Sequence, residues 1–390
     1  MNGNSDMRVI IIGAGLAGLT TAAALRHFGI DAEVYEAAES RRVTGAALGV
    51  GSNATKVLRK LGIDLASSNV GQITDRFELR TQSGDLIRRV PMASMTEELG
   101  APLVTIRRSD LADLLYESLG DCKVNYGAKL AGYRQIPEGI SAEFSNGSAV
   151  IADVLVGADG IHSSVRREIA GLEEPVNHGY VCWLATVPFT HDNLPVGYAG
   201  HYWGRGQRFG LMDLGNGNSY WWATKNVGNN YVSTQDSIKN DVLESFRGWA
   251  EEVVSVIEAT PTSEIMAVPA WDRSFLENWG DGPVTLVGDA AHPMLASLAQ
   301  GGGSSIEDGY VLASAIASHP DAEVALRAYE TSRRERTRML VETSRQVSRI
   351  EQIENPVLCA LRNGVLRYMP DSVVRKQNMA PMTFDFPVWN

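Results

Sequence analysis

The residues of this chain best suited to chemistry fall in three glycine-rich segments. The first, Gly13-Ala14-Gly15-Leu16-Ala17-Gly18, lies between an aliphatic run and an alanine-rich stretch, and Glu36 follows at the offset of about 20 residues expected of a ribose-binding acid. Glycines at that spacing permit a tight turn, close approach of a pyrophosphate and close helix–strand packing, while helix-end N–H groups meet phosphate. This pattern signals a dinucleotide without separating FAD from NAD. The second segment runs Gly157-Ala158-Asp159-Gly160-Ile161-His162-Ser163-Ser164-Val165-Arg166. Alone it reads as an Asp-Gly turn with Ser163 as a helix cap. The third is Gly288-Asp289-Ala290-Ala291-His292-Pro293, then Ala299-Gln300-Gly301-Gly302-Gly303. An Asp ending a strand can hold a sugar-like hydroxyl, and glycines opening a helix present N–H groups to an anion, such as the charge a reduced flavin carries near N1.

Elements to position these segments are legible around them. Arg8 to Ile12 reads as a strand, Leu16 to Phe28 as a helix and Ala32 to Glu36 as a second strand, a βαβ opening. Further helices are expected near Thr55–Leu61, Ser109–Leu119 and Ser304–Ser318, and buried strands at Ile151–Val156 and Val284–Val287. Between Tyr180 and Val268 the texture changes to short alternating strands rich in aromatics, including Trp183, Tyr202, Trp203, Tyr220, Trp221 and Trp222. The stretch from Ala322 to Glu354 reads as a charged helix whose Arg333, Arg334, Arg336 and Arg338 belong to a solvated face. Nothing in Asn355–Asn390 carries nameable chemistry.

Bulk properties bound the answer. With 390 residues, 44% of them hydrophobic, the chain can bury two connected cores. A formal charge of −11 opposes phosphate backbones and anionic lipid, so neither nucleic acid nor a membrane is an expected partner. Cys122, Cys182 and Cys359 are scattered, without metal or disulfide spacing, which fits a reducing cytoplasm. The uncharged stretch Val9–Leu25 is broken by its glycines and reads as strand, turn and helix, not as a secretion signal.

In order and spacing, the three segments resemble the single-component (class A) FAD-dependent monooxygenases of the p-hydroxybenzoate hydroxylase type, the second and third matching that family's DG and GD motifs. The likeness extends to about Glu354. It implies an α/β fold: a Rossmann-like FAD lobe (1–70, 101–175 and 276–355) interleaved with a β-sheet substrate lobe (71–100 and 176–275), then a C-terminal extension (356–390). It also implies a cofactor set of Gly13, Gly15, Leu16, Ala17, Gly18, Glu36, Ala37, Arg108, Leu130, Asp159, Gly288, Asp289, Ala299, Gln300, Gly301, Gly302 and Gly303. Within that set Glu36 serves the adenosine ribose, Asp289 the ribityl chain, the 299–303 loop the isoalloxazine, and Arg108, beside Arg107, the family's FAD-contacting arginine. The implied reaction uses NAD(P)H and dioxygen, through a flavin C4a-hydroperoxide, to hydroxylate a small aromatic or heteroaromatic molecule in a monomer or homodimer, with no metal. Many relatives place a proline and then Gly-Gln-Gly where this chain has Ala296 and Ala299; the alanine is costly only at positive φ.

On the substrate side, the segment His201–Gly210 followed by Tyr220 looks like a strand pair lining the pocket. Arg208 and Tyr220 are the candidate catalytic residues, the first to pair an anion and the second to donate to a phenolate; Arg205 should point outward. His292 reads as a packing residue. A halogenase is disfavoured because the Trp-x-Trp-x-Ile-Pro sequence is absent, Trp271 and Trp279 lying in no such arrangement. The alternatives kept are an epoxidase or other flavin oxidoreductase on the same fold, and a non-catalytic partner-binding protein.

Overall fold

The computed structural model describes residues 7–41, 46–228 and 231–389. Strand β1 (Val9–Ile12) is four consecutive buried aliphatics, the pattern of a strand covered on both faces. Through α1 (Leu16–His27) it connects to β2 (Ala32–Tyr35), parallel beside it. Next come β3 (Ala47–Val50), α2 (Ser52–Lys60), β4 (Gly71–Ile73), β5 (Arg76–Thr81), β6 (Leu86–Val90), α3 (Met92–Leu99), β7 (Val104–Arg107), α4 (Arg108–Ser118) and β8 (Val124–Asn125). β9 (Leu130–Ile136), β10 (Gly139–Phe144) and β11 (Ala149–Ala152) form an antiparallel sheet, and β12 (Val154–Gly157) leads to α5 (Ser164–Ala170). The expected single strand Ile151–Val156 is therefore two strands in two sheets. The chain turns at Asp153, whose carboxylate accepts from the Arg8 N–H at 2.7 Å, and Ile151 lies exposed on the near side.

The second lobe contains β13 (Val176–Pro188), β14 (Tyr198–Trp203), β15 (Gln207–Gly215) and β16 (Asn218–Asn226), then two helices that strand periodicity did not reveal, α6 (Ile238–Ser245) and α7 (Glu251–Ala259), and finally β17 (Met266–Asp272). Spacings of three and four place Ile238, Val242 and Phe246, then Val253, Val256 and Ile257, on helix faces packed against Trp183, Phe209 and Trp221 of the sheet. That covers one face. The seven strands run β17-β13-β16-β15-β14-β5-β6, antiparallel except where β14 lies parallel to β5.

β18 (Val284–Leu286) completes the five-stranded parallel sheet, ordered β18-β12-β1-β2-β8, and α8 (Gly301–Ser318), α9 (Ala322–Glu351), α10 (Pro356–Tyr368) and α11 (Asp371–Met379) finish the chain. The arginines of α9 are not all solvated. Arg333 is 2% exposed and bonds Glu307 and Asp308 of α8, with Nε 2.7 Å from Asp308 Oδ1, while Arg336 bonds Glu307 at 2.6 Å. α8 carries two carboxylates into the core, and a buried charge persists only when paired. Asn355 caps α10, with Pro356 in its first turn. Arg362 then donates to the Gly204 carbonyl at 3.1 Å and stacks over Trp203, fastening the C-terminal helices to the second lobe. Among the described residues no helix is long and apolar enough to cross a membrane.

Candidate active site

A cavity of about 1220 Å³ runs between the lobes, above the roughly 300–1,000 Å³ common for one small ligand. Its first half is the turn between β1 and α1. Gly13 adopts φ +108°, open to glycine alone, and a Cβ on Gly18 would overlap the Gly13 carbonyl, so the third glycine is what lets the helix close on the strand. Gly15 faces open space and caps α1 without any side-chain bond, leaving the helix N-terminus presented to the cavity. The Glu36 carboxylate accepts from Ala14 N at 2.7 Å and Ala38 N at 2.8 Å, bracing this turn while lining the cavity.

Asp159 and Ser163 organise the next wall. Asp159 Oδ2 accepts from the N–H and hydroxyl of Ser164, both at 2.7 Å, leaving Oδ1 without a partner, and Ser163 caps α5 through the Arg166 N–H. Beyond β18, Asp308 accepts from Gly288 N at 2.9 Å and from His292 at 2.5 Å, fixing the turn that carries Asp289. His292 is thus a buried partner of Asp308, away from the cavity. Asp289 lines the cavity with its side chain open to it; desolvation by the surrounding walls raises its carboxyl pKa, opposed by the charges of His292 and Arg108, and among the described residues nothing donates to it. Arg108 faces the cavity, whereas Arg107 turns away to Asn218 at 2.7 Å. Ala299 sits at φ +51°, the costly case for a residue with a Cβ.

Of the expected cofactor residues, Gly13, Gly15, Leu16, Glu36, Ala37, Arg108, Leu130, Asp159, Asp289, Ala299, Gly301 and Gly302 line the cavity. Ala17, Gly18, Gly288, Gln300 and Gly303 do not. Gln300 instead accepts from Asn53 at 2.9 Å, tying α2 to the glycine loop. These observations fit a bound dinucleotide: a helix end without a cap, an unpartnered carboxylate along the path, and glycines where side chains would intrude.

The second half is one face of the seven-stranded sheet. Strand alternation puts Cys182 and Leu184 of β13, Ala199 and His201 of β14, Arg208 and Met212 of β15, and Tyr220 and Trp222 of β16 on the cavity side. His201 and Trp222 both pair with Gly210 in register, and the missing side chain there lets the indole meet the imidazole edge-on, centroids 4.8 Å apart. Phe77 contacts the imidazole similarly at 4.7 Å. Burial, helped by the Arg208 charge, pushes the His201 pKa down to about 3. Tyr220 is buried, its pKa raised by desolvation, and its hydroxyl has no partner among the described residues.

Arg208 is 2% exposed, lies 4.6 Å over Trp222, and forms an ion pair with Glu351 at the end of α9. Longer contacts reach Thr224 at 3.3 Å and Ser297 at 3.4 Å, so the fork expected to hold a substrate anion already has a carboxylate. Arg205 is exposed, as alternation suggested. Cys182, with its pKa pushed up to about 11 by burial, and Met92, Met95, Gln377, Asn378 and Met382 also line the cavity. None of these was singled out from sequence. The last three give residues 356–390, in which the sequence offered no nameable chemistry, a place in the cavity wall, because α11 folds back against α3.

Comparison with known proteins agrees with this geometry. A family described as FAD binding domain matches residues 6–344. The chain belongs to the class A FAD-dependent monooxygenases. The enzyme is 34% identical over 380 residues to the aurachin C monooxygenase/isomerase of Stigmatella aurantiaca, covering 97% of this chain and 99% of that protein. It is 30% identical over 367 residues to the 6-hydroxynicotinate 3-monooxygenase of Pseudomonas fluorescens, covering 90% and 94%. The structure of Klebsiella pneumoniae HpxO complexed with FAD and uric acid superposes with a TM-score of 0.90 at 27% identity, covering 96% of each chain.

Proposed function

We propose that the enzyme inserts one oxygen atom from dioxygen into a small aromatic or heteroaromatic molecule, with NAD(P)H as reductant. One observation carries this reading: the dinucleotide cleft and the one-faced aromatic pocket are a single cavity, with the Ala299–Gly302 loop in its wall. Bound FAD supplies the activation of dioxygen, and the chain's own residues do the rest. Gly13, Gly15 and the N-terminus of α1 hold the pyrophosphate, while Asp289 and Glu36 serve its two polyol ends.

On the substrate side, the Trp222, Phe77 and His201 rings exclude water and hold an aromatic ring by edge and face contacts. The neutral Tyr220 hydroxyl donates to a phenolic or carbonyl oxygen. Arg208, balanced by Glu351, offers its remaining N–H groups to the same oxygen, without the net positive charge that a carboxylate needs. We place the protein in the cytoplasm, as monomer or homodimer. The test is a panel of phenols, quinolones, purines and benzoates scored for stimulated NAD(P)H oxidation and a mass gain of one oxygen. No stimulation by any ring compound, with FAD bound, overturns the proposal.

A further inference from the structure

We propose that the substrate carries an apolar substituent, an alkyl, prenyl or aryl group, seated in a second arm of the cavity between α3 and α11; this rests on the monooxygenase reading above. The arm begins where the ring pocket ends. Phe77 and Leu103 pack both into the hydrophobic cluster of Met212 and Tyr220 and into that of Val90, Met92 and Met95, so one apolar wall continues from the sheet face to α3. The cavity follows it: Phe77, Val90, Met92, Met95, Leu103 and Met382 all line it, and Met382 packs against the same cluster.

No charged side chain lines this arm among the described residues, and its polar members, Thr74, Gln377 and Asn378, are neutral. The nearest cations are already balanced, Arg208 by Glu351 and Arg108 facing Asp289. A polyanionic or carboxylated ring would strand charge in this surface, whereas a neutral ring with an apolar tail buries its whole length. Methionine fits the role, since its unbranched, polarizable chain adapts to substituents of differing shape.

The test titrates the FAD-loaded enzyme with 4-methylphenol, 4-butylphenol and 4-octylphenol, reading the flavin absorbance change. Affinity should rise about fourfold per methylene until the arm is filled. Met382→Trp, which blocks the arm from a partly exposed position, should flatten the series, weakening 4-octylphenol far more than 4-methylphenol. Met382→Ala should keep the series steep, which separates blocking from general damage. Equal affinity across the series, or equal weakening of short and long phenols by Met382→Trp, overturns the proposal. So does selective binding of urate or 4-hydroxybenzoate, an outcome that leaves the monooxygenase reading intact. A protein that fails to retain FAD contradicts both.

Discussion

Replacing Glu351 with glutamine isolates the feature on which the proposed substrate charge rests. Arg208 and Glu351 are each 2% exposed, and Glu351 is the only carboxylate paired with Arg208 among the described residues. Removing one partner of a buried pair costs about 3–5 kcal/mol; glutamine keeps a carbonyl acceptor, which argues for about 3. At about 2.1 cal/mol/K per residue over 390 residues, that lowers Tm by about 4 °C. The released guanidinium should also gain affinity for benzoate by about ten- to a hundredfold, as for a charge-assisted hydrogen bond. Arg208→Gln fails differently. Burial already raises the Glu351 pKa against the lowering effect of Arg208, so losing the arginine raises it further. A carboxyl with a folded pKa above its unfolded value is most stable below the latter, about 4.3, and loses stability as pH rises through the former. The double variant should therefore be more stable at pH 8 than either single one. Thermal melts from pH 5 to 9 and benzoate titrations read both effects; a Tm within about 1 °C and unchanged benzoate affinity in Glu351→Gln would refute the buried-pair argument.

Three further outcomes are expected. Asp289→Ala should weaken FAD about ten- to a hundredfold by flavin fluorescence, through loss of a charge-assisted hydrogen bond, and unchanged affinity would remove Asp289 from the site. His201, held neutral with a pKa near 3, binds its proton more weakly folded than unfolded, so stability falls as pH drops from about 6.5 toward 3 by at most about 1.4 kcal/mol per unit; His201→Gln should flatten that decline, measured as Tm against pH. At Ala299, with φ +51°, Gly should leave FAD binding and Tm unharmed, while Val, which tolerates positive φ poorly, should reduce both; equal behaviour would mean that the loop relaxes.

What could be read in advance was local. Gly13 to Glu36 form one contiguous βαβ unit, so spacing alone constrained the turn, helix and acid. The cavity face of the sheet was only half visible. Alternation along each strand is local, but which face meets the cavity and which is covered is decided by α6 and α7, which follow the strands in sequence. Arg208 was singled out without its partner because Glu351 lies on another element, at the end of a helix whose charged composition reads as solvated. The same reason hid Arg333: a polar residue on a helix reads as exposed until the carboxylates of α8 face it. Ile151–Val156 failed because a single aspartate, Asp153, exchanges sheets without breaking the apolar run.

The glycine loop joins these parts. Asn53 holds Gln300 and Glu307 from α2, Asp308 fixes Gly288 beneath Asp289, and Arg208 touches Ser297 while anchored to Glu351. The glycine loop in the cavity wall is therefore bonded from both lobes, on one side through α8 and on the other through the seven-stranded sheet. A substrate that displaces the Arg208 fork must disturb Ser297, two residues before the strained Ala299. Such a loop favours ligands that leave the Arg208–Glu351 pair in place, which is the physical reason for proposing a neutral ring and not an anionic one.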